Sequence, residues 1–542
     1  MIETPILIVG GGPAGATLAA EIGYRGGSCL LIEESEGDNP HPRANMAGQR
    51  TMEIFRRWGL AEKVLDASLP RDYPVNVIFS TRLNEYEIHR FSLASIEEFQ
   101  NPTQNLRNSL PDVDWSPYFK TQIGQNYLEP VIRDFAQTFP GVEVLKGWKL
   151  CDFIQDQDGV VANIQQVSTG QVRKVKAQYM VGCDGGRSYI RKALNISFEG
   201  RGALSRNLGI YVRIPNFQQA QPLGRGTLLW TLAPSCRGVF IAIDGKDLWT
   251  YNRYFCTEEE ANDPHRMVCE AIGKDVPVEI LSVQPWTGFQ VVAEKYRHGR
   301  VFLCGDAAHL FNPTGGFGMN TAIADAADLG WKISAVLSGW GGPKLLDSYE
   351  QERRPVGVRN TTEAAANFDK IAALMHLSPE IEEDSHKGEE LRLTVGEKLQ
   401  GQKKTWSASG MHLGYRYENS PIVIPDETPA TPDNPQIYVP TSRPGSRAPH
   451  LWLENGQSTL DFVPRYGFEI WRFQNAPRLE QLESDAKELG VPISDRQINS
   501  EAAAGIFEKK YVIVRPDGHV AWRSNYPPDN PKETIAKISG YY

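Results

Sequence analysis

The beginning of the chain constrains its fold more than any other stretch. The apolar run Pro5–Val9 breaks into the glycine-rich segment Gly10–Gly15 and then continues as an alanine-rich helical pattern. This order predicts a strand, a tight turn and a helix, which is the G-x-G-x-x-G unit that binds dinucleotides. The start of such a helix offers unpaired N–H groups and partial positive charge to a phosphate. We therefore predict a dinucleotide cradle here.

Each glycine of the motif has its own expected role. Gly10 permits the turn, Gly12 lets a pyrophosphate approach the backbone, and Gly15 lets the helix pack closely on the strand. Pro13 and Ala14 lie between them at the start of the helix, and we expect them beside the pyrophosphate as well.

A carboxylate follows at the spacing that this motif requires. The second apolar run, Ser28–Glu33, ends at Glu33, which lies 23 residues after Gly10. A carboxylate there accepts hydrogen bonds from ribose hydroxyls, so it favours a nucleotide with a free 2′-hydroxyl. FAD and NAD meet this condition and NADP does not.

Composition excludes several classes of partner and places the protein in a reducing compartment. The chain of 542 residues has a net charge of −9 with dispersed Lys and Arg, which excludes nucleic acid as a partner. The seven cysteines are scattered, without a C-x-x-C pair, and are typical of buried thiols in a reducing compartment. No apolar stretch has the length of a membrane span, and the first one is too short for a signal peptide. We expect a cytoplasmic protein without a membrane partner.

Two later strand patterns also end in a glycine turn with an aspartate. Asp184 follows the apolar run Tyr179–Cys183, and Asp306 follows Arg300–Gly305. Beyond Asp306 a glycine-rich loop enters a long helix that starts near Met319. We assign Asp306 to a ribityl or ribose hydroxyl, because a carboxylate does not bind phosphate. For Asp184 a simple turn cap is the alternative, since Asp-Gly is a common turn pair.

The fold class that we predict is α/β, with a Rossmann-like nucleotide-binding domain, an inserted antiparallel β-sheet domain and a small C-terminal α/β domain. The expected divisions are a nucleotide-binding domain (1–75, 120–195 and 290–375), a substrate-binding β-sheet domain (76–119 and 196–289), a helical end and linker (376–445), and a C-terminal domain (446–542).

Together these features resemble the single-component (class A) FAD-dependent aromatic hydroxylases, the family of p-hydroxybenzoate and phenol hydroxylases. The resemblance rests on Gly10–Gly15 with Glu33, on Asp184-Gly185, and on Gly305-Asp306 followed by Pro313–Asn320. It covers about residues 4–375, and the tail resembles the thioredoxin-like C-terminal domain of the phenol hydroxylase branch. That tail contains no cysteine, so it cannot carry out dithiol chemistry.

The resemblance implies FAD bound non-covalently in an extended form. Arg43 and Gln125 would close over it, and the amides of Gly318, Met319 and Asn320 would face the pyrimidine ring of the flavin. From the sequence pattern alone, Arg43 is more simply a solvated loop arginine. NADH or NADPH would bind transiently on the FAD domain to reduce the flavin, because the chain has no second Rossmann unit for the nicotinamide cofactor.

The implied reaction is hydroxylation of a phenolic or other electron-rich aromatic compound by O₂ through a C4a-hydroperoxyflavin. The carbonyl of Pro313 would contact the substrate hydroxyl. Asn45 stands where phenol hydroxylase has an aspartate, and an amide cannot act as the base. Tyr211, as a further catalytic candidate, and Trp230 and Tyr251, as substrate contacts, come from strand position, with core packing as the alternative role of each.

Other functions stay open from sequence. An epoxidase or a Baeyer–Villiger enzyme uses the same scaffold, and a FAD-binding protein without turnover is a further alternative. A halogenase is disfavoured because the W-x-W-x-I-P motif is missing. We also expect a homodimer, with the hairpin at 511–522 as an exposed edge available to a partner subunit.

Overall fold

The computed structural model describes residues 1–401 and 408–542. Its strands are β1 (Ile2–Val9), β2 (Cys29–Glu33), β3 (Met46–Ala47), β4 (Val77–Ser80), β5 (Glu87–Phe91), β6 (Thr121–Gln122), β7 (Val142–Lys146), β8 (Trp148–Gln155), β9 (Val160–Gln166), β10 (Val172–Gly182), β11 (Phe198–Arg213), β12 (Leu228–Thr231), β13 (Gly238–Ala242), β14 (Leu248–Tyr254), β15 (Glu279–Ala293), β16 (Arg297–His298), β17 (Val301–Leu303), β18 (His309–Leu310), β19 (Phe468–Arg472), β20 (Ile493–Gln497), β21 (Tyr511–Val514) and β22 (Val520–Ser524).

The α-helices have these bounds: α1 (Pro13–Tyr24), α2 (Gln49–Arg57), α3 (Ala61–Asp66), α4 (Ile96–Gln100), α5 (Gln104–Ser109), α6 (Gln125–Gln137), α7 (Tyr189–Ala193), α8 (Phe217–Ala220), α9 (Pro264–Ile272), α10 (Phe317–Leu337), α11 (Lys344–Leu374), α12 (His386–Gln400), α13 (Ser409–Leu413), α14 (Glu480–Glu488), α15 (Glu501–Phe507) and α16 (Pro531–Ile538). Among the described residues, none of the helices is both long and apolar enough to cross a bilayer.

The first sheet has the strand order β16-β17-β10-β1-β2-β7, and its central strands run parallel. Its strands are apolar because helices cover the sheet, and Ile6, Leu7 and Ile8 are fully buried. Helix α1 packs against α10 and α6. The carboxyl ends of β1, β10 and β17 therefore bring Gly10, Asp184 and Gly305 to one edge, where an open parallel sheet binds its ligand.

The second sheet has the order β18-β15-β11-β14-β13-β12-β4-β5 and is antiparallel except where β12 meets β4. Most of its strands lie in the segments 76–119 and 196–289, although β15 continues to Ala293 and β18 belongs to the nucleotide-binding segment. Long strands β11 and β15 form its backbone ladder, with bulges after Gly200, Ala203 and Tyr211. Residues of β11 and β15 line one cleft together with residues at the carboxyl edge of the first sheet.

The C-terminal domain has the sheet order β20-β19-β21-β22, with β19 and β20 parallel and the other pairs antiparallel. Helices α14, α15 and α16 alternate with these strands, which is the arrangement expected of a thioredoxin-like domain. The expected exposed edge at 511–522 is wrong. The backbone of β22 pairs with the preceding segment, where Gly445 N donates to Val520 O and Ile424 N donates to Ala521 O.

The segment before this domain is packed, although its composition suggested a linker. Ile422, Tyr417 and Tyr438 are buried. The segment also has exposed stretches, such as 432–434, between these buried residues. Seven cysteines are present, and all of them are free thiols.

Candidate active site

A side chain would meet different surroundings at each glycine of the cradle. A Cβ at Gly10 would overlap the Cys183 carbonyl, and Gly10 has a φ of +105. A Cβ at Gly15 would overlap the Gly10 carbonyl oxygen. At Gly12 the nearest atom to such a Cβ is Glu129 Oε1 at 3.9 Å, so this position opens into a cleft. The cleft has a volume of about 1850 Å³.

Glu33 anchors the glycine loop from the end of β2. Its Oε2 accepts a hydrogen bond from Gly11 N at 2.6 Å, and its Oε1 accepts one from Ser35 N at 2.9 Å. Glu33 also lines the cleft, at the position where the motif places a ribose.

Arg43 and Gln125 both line the cleft. The exposed Arg43 lines the cleft, and Gln125 begins α6 with its Nε2 donating to Glu129 Oε1 at 2.5 Å. Gln125 N also donates to Ala44 O, which ties α6 to the loop that carries Arg43. The sequence did not point to Glu129, whose pKa is raised by burial. This carboxylate lies beside Gly12, on the turn of α6 that follows Gln125.

Asp184 and Asp306 line the sheet edge of the cleft. Asp184 Oδ2 accepts a hydrogen bond from Ile190 N at 3.1 Å, in the first turn of α7, whose cap residue is Ser188. Burial raises the pKa of both carboxyl groups. Gly305, with φ of +65, brings this turn against α1, because a Cβ there would lie 2.9 Å from Ala14 Cβ.

Helix α10 begins at the cleft without a side-chain cap. Its cap residue Gly316 is left-handed, and Gly318 and Met319 line the cleft. The side chain of Asn320 is turned away from the cleft. Its Oδ1 accepts from Gly48 N and Thr51 Oγ1, and its Nδ2 donates to Met46 O and Gly316 O.

These features fit FAD. The starts of α1 and α10 both lack side-chain caps, so their N–H groups and helix dipoles are free to meet anionic groups. The open space at Gly12 matches a pyrophosphate, and Glu33 and Asp306 are acceptors for hydroxyl groups. Pro13 and Ala14 line the cleft beside them.

A second, smaller cavity of about 440 Å³ lies between the cleft and the second sheet, and we call it the inner cavity. Aromatic residues form much of its wall: Phe119, Trp230, Tyr254, Trp286, Phe311 and Phe317. Trp230 stacks between Phe79, at 5.8 Å and 8°, and Tyr254, at 5.7 Å and 23°. Flat apolar walls of this kind suit an aromatic ligand.

The inner cavity and the cleft share one wall. The residues that line both are Arg43, Asn45, Met46, Pro285, Trp286, Phe311, Pro313 and Gly316. Pro313 and Asn45, which the sequence singled out, are therefore at the boundary between the two spaces. The Pro313 carbonyl accepts a hydrogen bond from Gly316 N at 2.9 Å, which leaves a second lone pair for another donor.

Tyr211 and Tyr251 do not line the inner cavity among its described residues. Tyr251 is fully buried on the opposite face of β14, where its hydroxyl donates to the Cys236 carbonyl at 2.6 Å. Tyr211 packs its ring edge-on against His41, with 6.3 Å between the ring centroids. The placement of both supports the core-packing alternative.

Several lining residues had no sequence signal. Lys120 precedes β6, His412 lies on α13, and Gln284 and Trp286 lie on β15. They come from segments far apart in the chain, and none belongs to a motif with a fixed spacing.

Comparison with known proteins gives two family matches that span most of the chain. Residues 3–364 match the FAD binding domain family, and residues 441–540 match the aromatic-ring hydroxylase C-terminal family. The FAD-dependent monooxygenase apdD of Emericella nidulans is 30% identical over 99% of this chain and 90% of its own. A putative polyketide hydroxylase of Streptomyces halstedii is 32% identical over 97% and 94%.

A solved structure also resembles the whole chain. The rebeccamycin biosynthetic enzyme RebC with reduced flavin has a TM-score of 0.91 and 35% identity. The match covers 100% of this chain and 99% of that one.

Proposed function

Because the chain belongs to the FAD-dependent aromatic-ring hydroxylases, we propose that it hydroxylates a polycyclic phenolic compound of the polyketide type. It is a flavin-dependent monooxygenase with FAD as its cofactor and NAD(P)H as reductant. The observation that carries the substrate proposal is the shared wall, which joins an aromatic-lined cavity of about 440 Å³ to the cleft. A volume in this range suits a drug-sized ligand with several rings.

FAD bound in the cleft would supply the redox chemistry and the activation of O₂. The protein binds and orients the reactants. Trp230 and Tyr254 form part of the aromatic wall against the substrate rings, and Pro313 offers its carbonyl to a phenolic hydroxyl at the boundary. The start of α10, whose N–H groups have no side-chain cap, would stabilise negative charge on a flavin bound in the cleft.

Asn45 is not a base in this site. It lies at the boundary, and its amide is neutral at every ordinary pH, so it positions a hydroxyl without removing its proton. Buried apolar side chains such as Val239 also line the inner cavity, so this part of its wall is poorly hydrated.

The test is product analysis with the FAD-loaded enzyme under ¹⁸O₂. We expect hydroxylated anthraquinones to stimulate NAD(P)H oxidation and to gain one labelled oxygen on the ring, whereas single-ring phenols and salicylates are poor substrates. A labelled lactone or epoxide would instead support the Baeyer–Villiger or epoxidase alternative. Binding of the anthraquinone with neither NAD(P)H oxidation nor any oxygenated product would support a FAD-binding protein without turnover.

Two variants make the test specific to the cavity. Trp230→Leu should raise KM for the anthraquinone about tenfold, because it removes a ring of the cavity wall and the support that this ring gives to Tyr254. Tyr251→Phe should leave KM unchanged, because Tyr251 faces the other side of β14. Equal KM values in wild type and Trp230→Leu, at equal flavin content, would contradict the assignment of this cavity to the substrate.

We also infer that the enzyme acts in the cytoplasm, which its free cysteines support. The homodimer stays a prediction, now without the exposed edge at 511–522 that was expected to serve it, and light scattering of the purified protein measures it.

A further inference from the structure

A buried carboxyl group faces the cleft at the place where the glycine cradle opens. Glu129 lies on the second turn of α6, is nine-tenths buried and lines the cleft. A Cβ at Gly12 would lie 3.9 Å from Glu129 Oε1, so the carboxyl group borders the space where the motif places a pyrophosphate. An ionised carboxylate here would repel the bound pyrophosphate, because like charges in a partly buried site disfavour each other.

Hydrogen bonding holds Glu129 in this position. Gln125 Nε2 donates to Glu129 Oε1 at 2.5 Å, and Gln125 N donates to Ala44 O, which fixes this end of α6 to the loop before β3. In the described part of the chain, no cationic side chain forms an ion pair with Glu129, and Arg133 on the next turn pairs with Asp38 at 2.6 Å. Because Oε1 accepts from the Gln125 amide, Oε2 is the oxygen that can carry a proton.

The elements that pack against α6 bring little charge to Glu129. These elements are α1, α3 and β7. Helix α1 has no ionisable side chain before Glu21, whose charge is matched by arginines. The buried residues of α3 are apolar, and Lys146 of β7 is paired with Asp38. The charges that act on Glu129 therefore come from its own helix and from the cleft.

With FAD in the cleft, the charge around Glu129 is negative. Burial raises the pKa of Glu129 and Glu33 acts in the same direction, whereas Arg133 and Arg43 favour the ionised form. Arg133 is already paired with Asp38, so Arg43 is the cation that faces the two ionised phosphates and Glu33. A further negative charge on Glu129 would add to this excess, so the neutral acid is favoured.

We propose that Glu129 binds FAD as a neutral carboxylic acid, with its Oε2–H turned toward the pyrophosphate, and that FAD binding takes up one proton from solvent wherever the free carboxyl group is ionised. This inference rests on the FAD site of the proposed function and on no property of the substrate. As an acid, Glu129 adds a hydrogen-bond donor to the cradle, whereas as an anion it would repel the cofactor. FAD binding therefore weakens as pH rises.

The first experiment measures FAD affinity without turnover. Holoenzyme is diluted at pH values from 6 to 9, and the fluorescence of released FAD gives Kd. We expect the wild-type Kd to rise by up to about tenfold per pH unit while the free carboxyl group ionises. Glu129→Gln keeps the shape and the donor of the acid, so its Kd should stay within about threefold over this range. Asp134→Asn makes the same chemical change at an exposed position of α6 and should follow the wild type.

Calorimetry of the wild type gives a second measure that needs no variant. FAD is titrated into the full-length apoprotein at pH 7.5, once in phosphate and once in Tris, because these buffers differ in their enthalpies of ionisation. The difference between the two binding enthalpies counts the protons taken up. We expect about one-half to one proton per FAD in the wild type and none in Glu129→Gln.

A wild-type Kd that is constant with pH, together with equal binding enthalpies in both buffers, would overturn the inference. The same rise of Kd with pH in Glu129→Gln and in wild type would assign the proton to another group and would also overturn it. A wild type that oxygenates no substrate under ¹⁸O₂ but shows the expected pH dependence would contradict the proposed function and support the role of Glu129.

Discussion

Gly10, Gly12 and Gly15 belong to one motif, but a side chain would meet different neighbours at each. At Gly10 and Gly15 it would meet backbone carbonyls of the protein itself. At Gly12 it would enter the cleft, and its backbone is extended, with φ of −67 and ψ of −172, so a larger residue is not strained. The fold therefore requires Gly10 and Gly15, whereas only the ligand requires Gly12.

At the residue scale this separation is testable. Gly12→Val should yield a folded apoprotein, because its side chain occupies the space of the pyrophosphate. Gly15→Ala should lower the free energy of unfolding by about 2–3 kcal/mol, because it forces α1 away from the Gly10 carbonyl. Flavin content and urea unfolding of the apoproteins measure the two effects. Full flavin content in Gly12→Val would contradict the cradle assignment.

At the scale of the elements, the start of helix α10 is positioned by the side chain of Asn320, which does not line the cleft. Asn320 bonds to the backbone of Gly48, Met46 and Gly316 and to the Thr51 hydroxyl, with distances between 2.6 and 3.0 Å. The helix start is thereby joined to β3, which carries Met46 of the shared wall, and to α2, which carries Gln49 of the inner cavity. The expected role of Asn320 through its amide N–H stays a prediction.

Removing this side chain should loosen both elements together. Asn320→Ala leaves the Gly48 N–H and the Met46 carbonyl without their partners, so we expect a loss of about 2–4 kcal/mol in stability. FAD affinity should fall as well, because the start of α10 is no longer fixed. Denaturant unfolding and FAD titration measure both, with the exposed Asn108→Ala as the control. A variant that matches wild type in both would show that α10 is positioned without Asn320.

In the whole molecule, a buried ion cluster joins the C-terminal domain to the nucleotide-binding domain. Arg515 donates to Glu352 Oε1 at 2.6 Å and to Asp517 Oδ2 at 2.6 Å. Lys332 Nζ lies 2.7 Å from Asp328 Oδ2 and 2.6 Å from Glu352 Oε2. Three buried carboxyl groups, those of Asp328, Glu352 and Asp517, thus lie against two cationic side chains, those of Arg515 and Lys332.

The charge balance of this cluster assigns a proton to Asp328. Burial raises the pKa of Asp328 to about 8, against the charge of Lys332. For Glu352, burial opposes ionisation, but the charges of Arg515 and Lys332 outweigh it and lower the pKa to about 2. At neutral pH the cluster therefore holds an ionised Glu352 and a protonated Asp328. Nearby His519 stays neutral, because burial lowers its pKa to about 4.

Replacing Asp328 and replacing Glu352 should change the stability of the protein with opposite signs near neutral pH. The folded state holds a proton on Asp328 that the unfolded chain releases. The contribution of Asp328 to the free energy of unfolding therefore falls as pH rises from about 4 to about 8. Asp328→Asn should therefore be close to neutral at pH 5 and stabilising relative to wild type at pH 8. Glu352 contributes stability above its ordinary pKa, so Glu352→Gln should cost about 3–5 kcal/mol at pH 7.

Thermal unfolding of both variants and wild type from pH 5 to pH 8 measures this pattern. A constant difference between Asp328→Asn and wild type over that range would show that Asp328 is ionised throughout.

The sequence by itself determined the nucleotide-binding half of the site, because that chemistry depends on residues that are neighbours along the chain. Gly10–Gly15, Glu33, Asp184, Asp306 and Gly318 each follow a strand or begin a helix, so local order was enough to place them at the edge of the sheet. The α/β fold class followed from the same patterns, and it is confirmed.

Only the tertiary structure decided the inner cavity and the attachment of the C-terminal domain. Trp230 faces the cavity and Tyr251 the core because side chains alternate along a strand, and the register of β12, β13 and β14 selects the face. Lys120 and His412 meet only through long-range packing. The segment 418–445 covers the edge of β22, although its composition is that of a linker, because backbone hydrogen bonding to an edge strand needs no particular side chain.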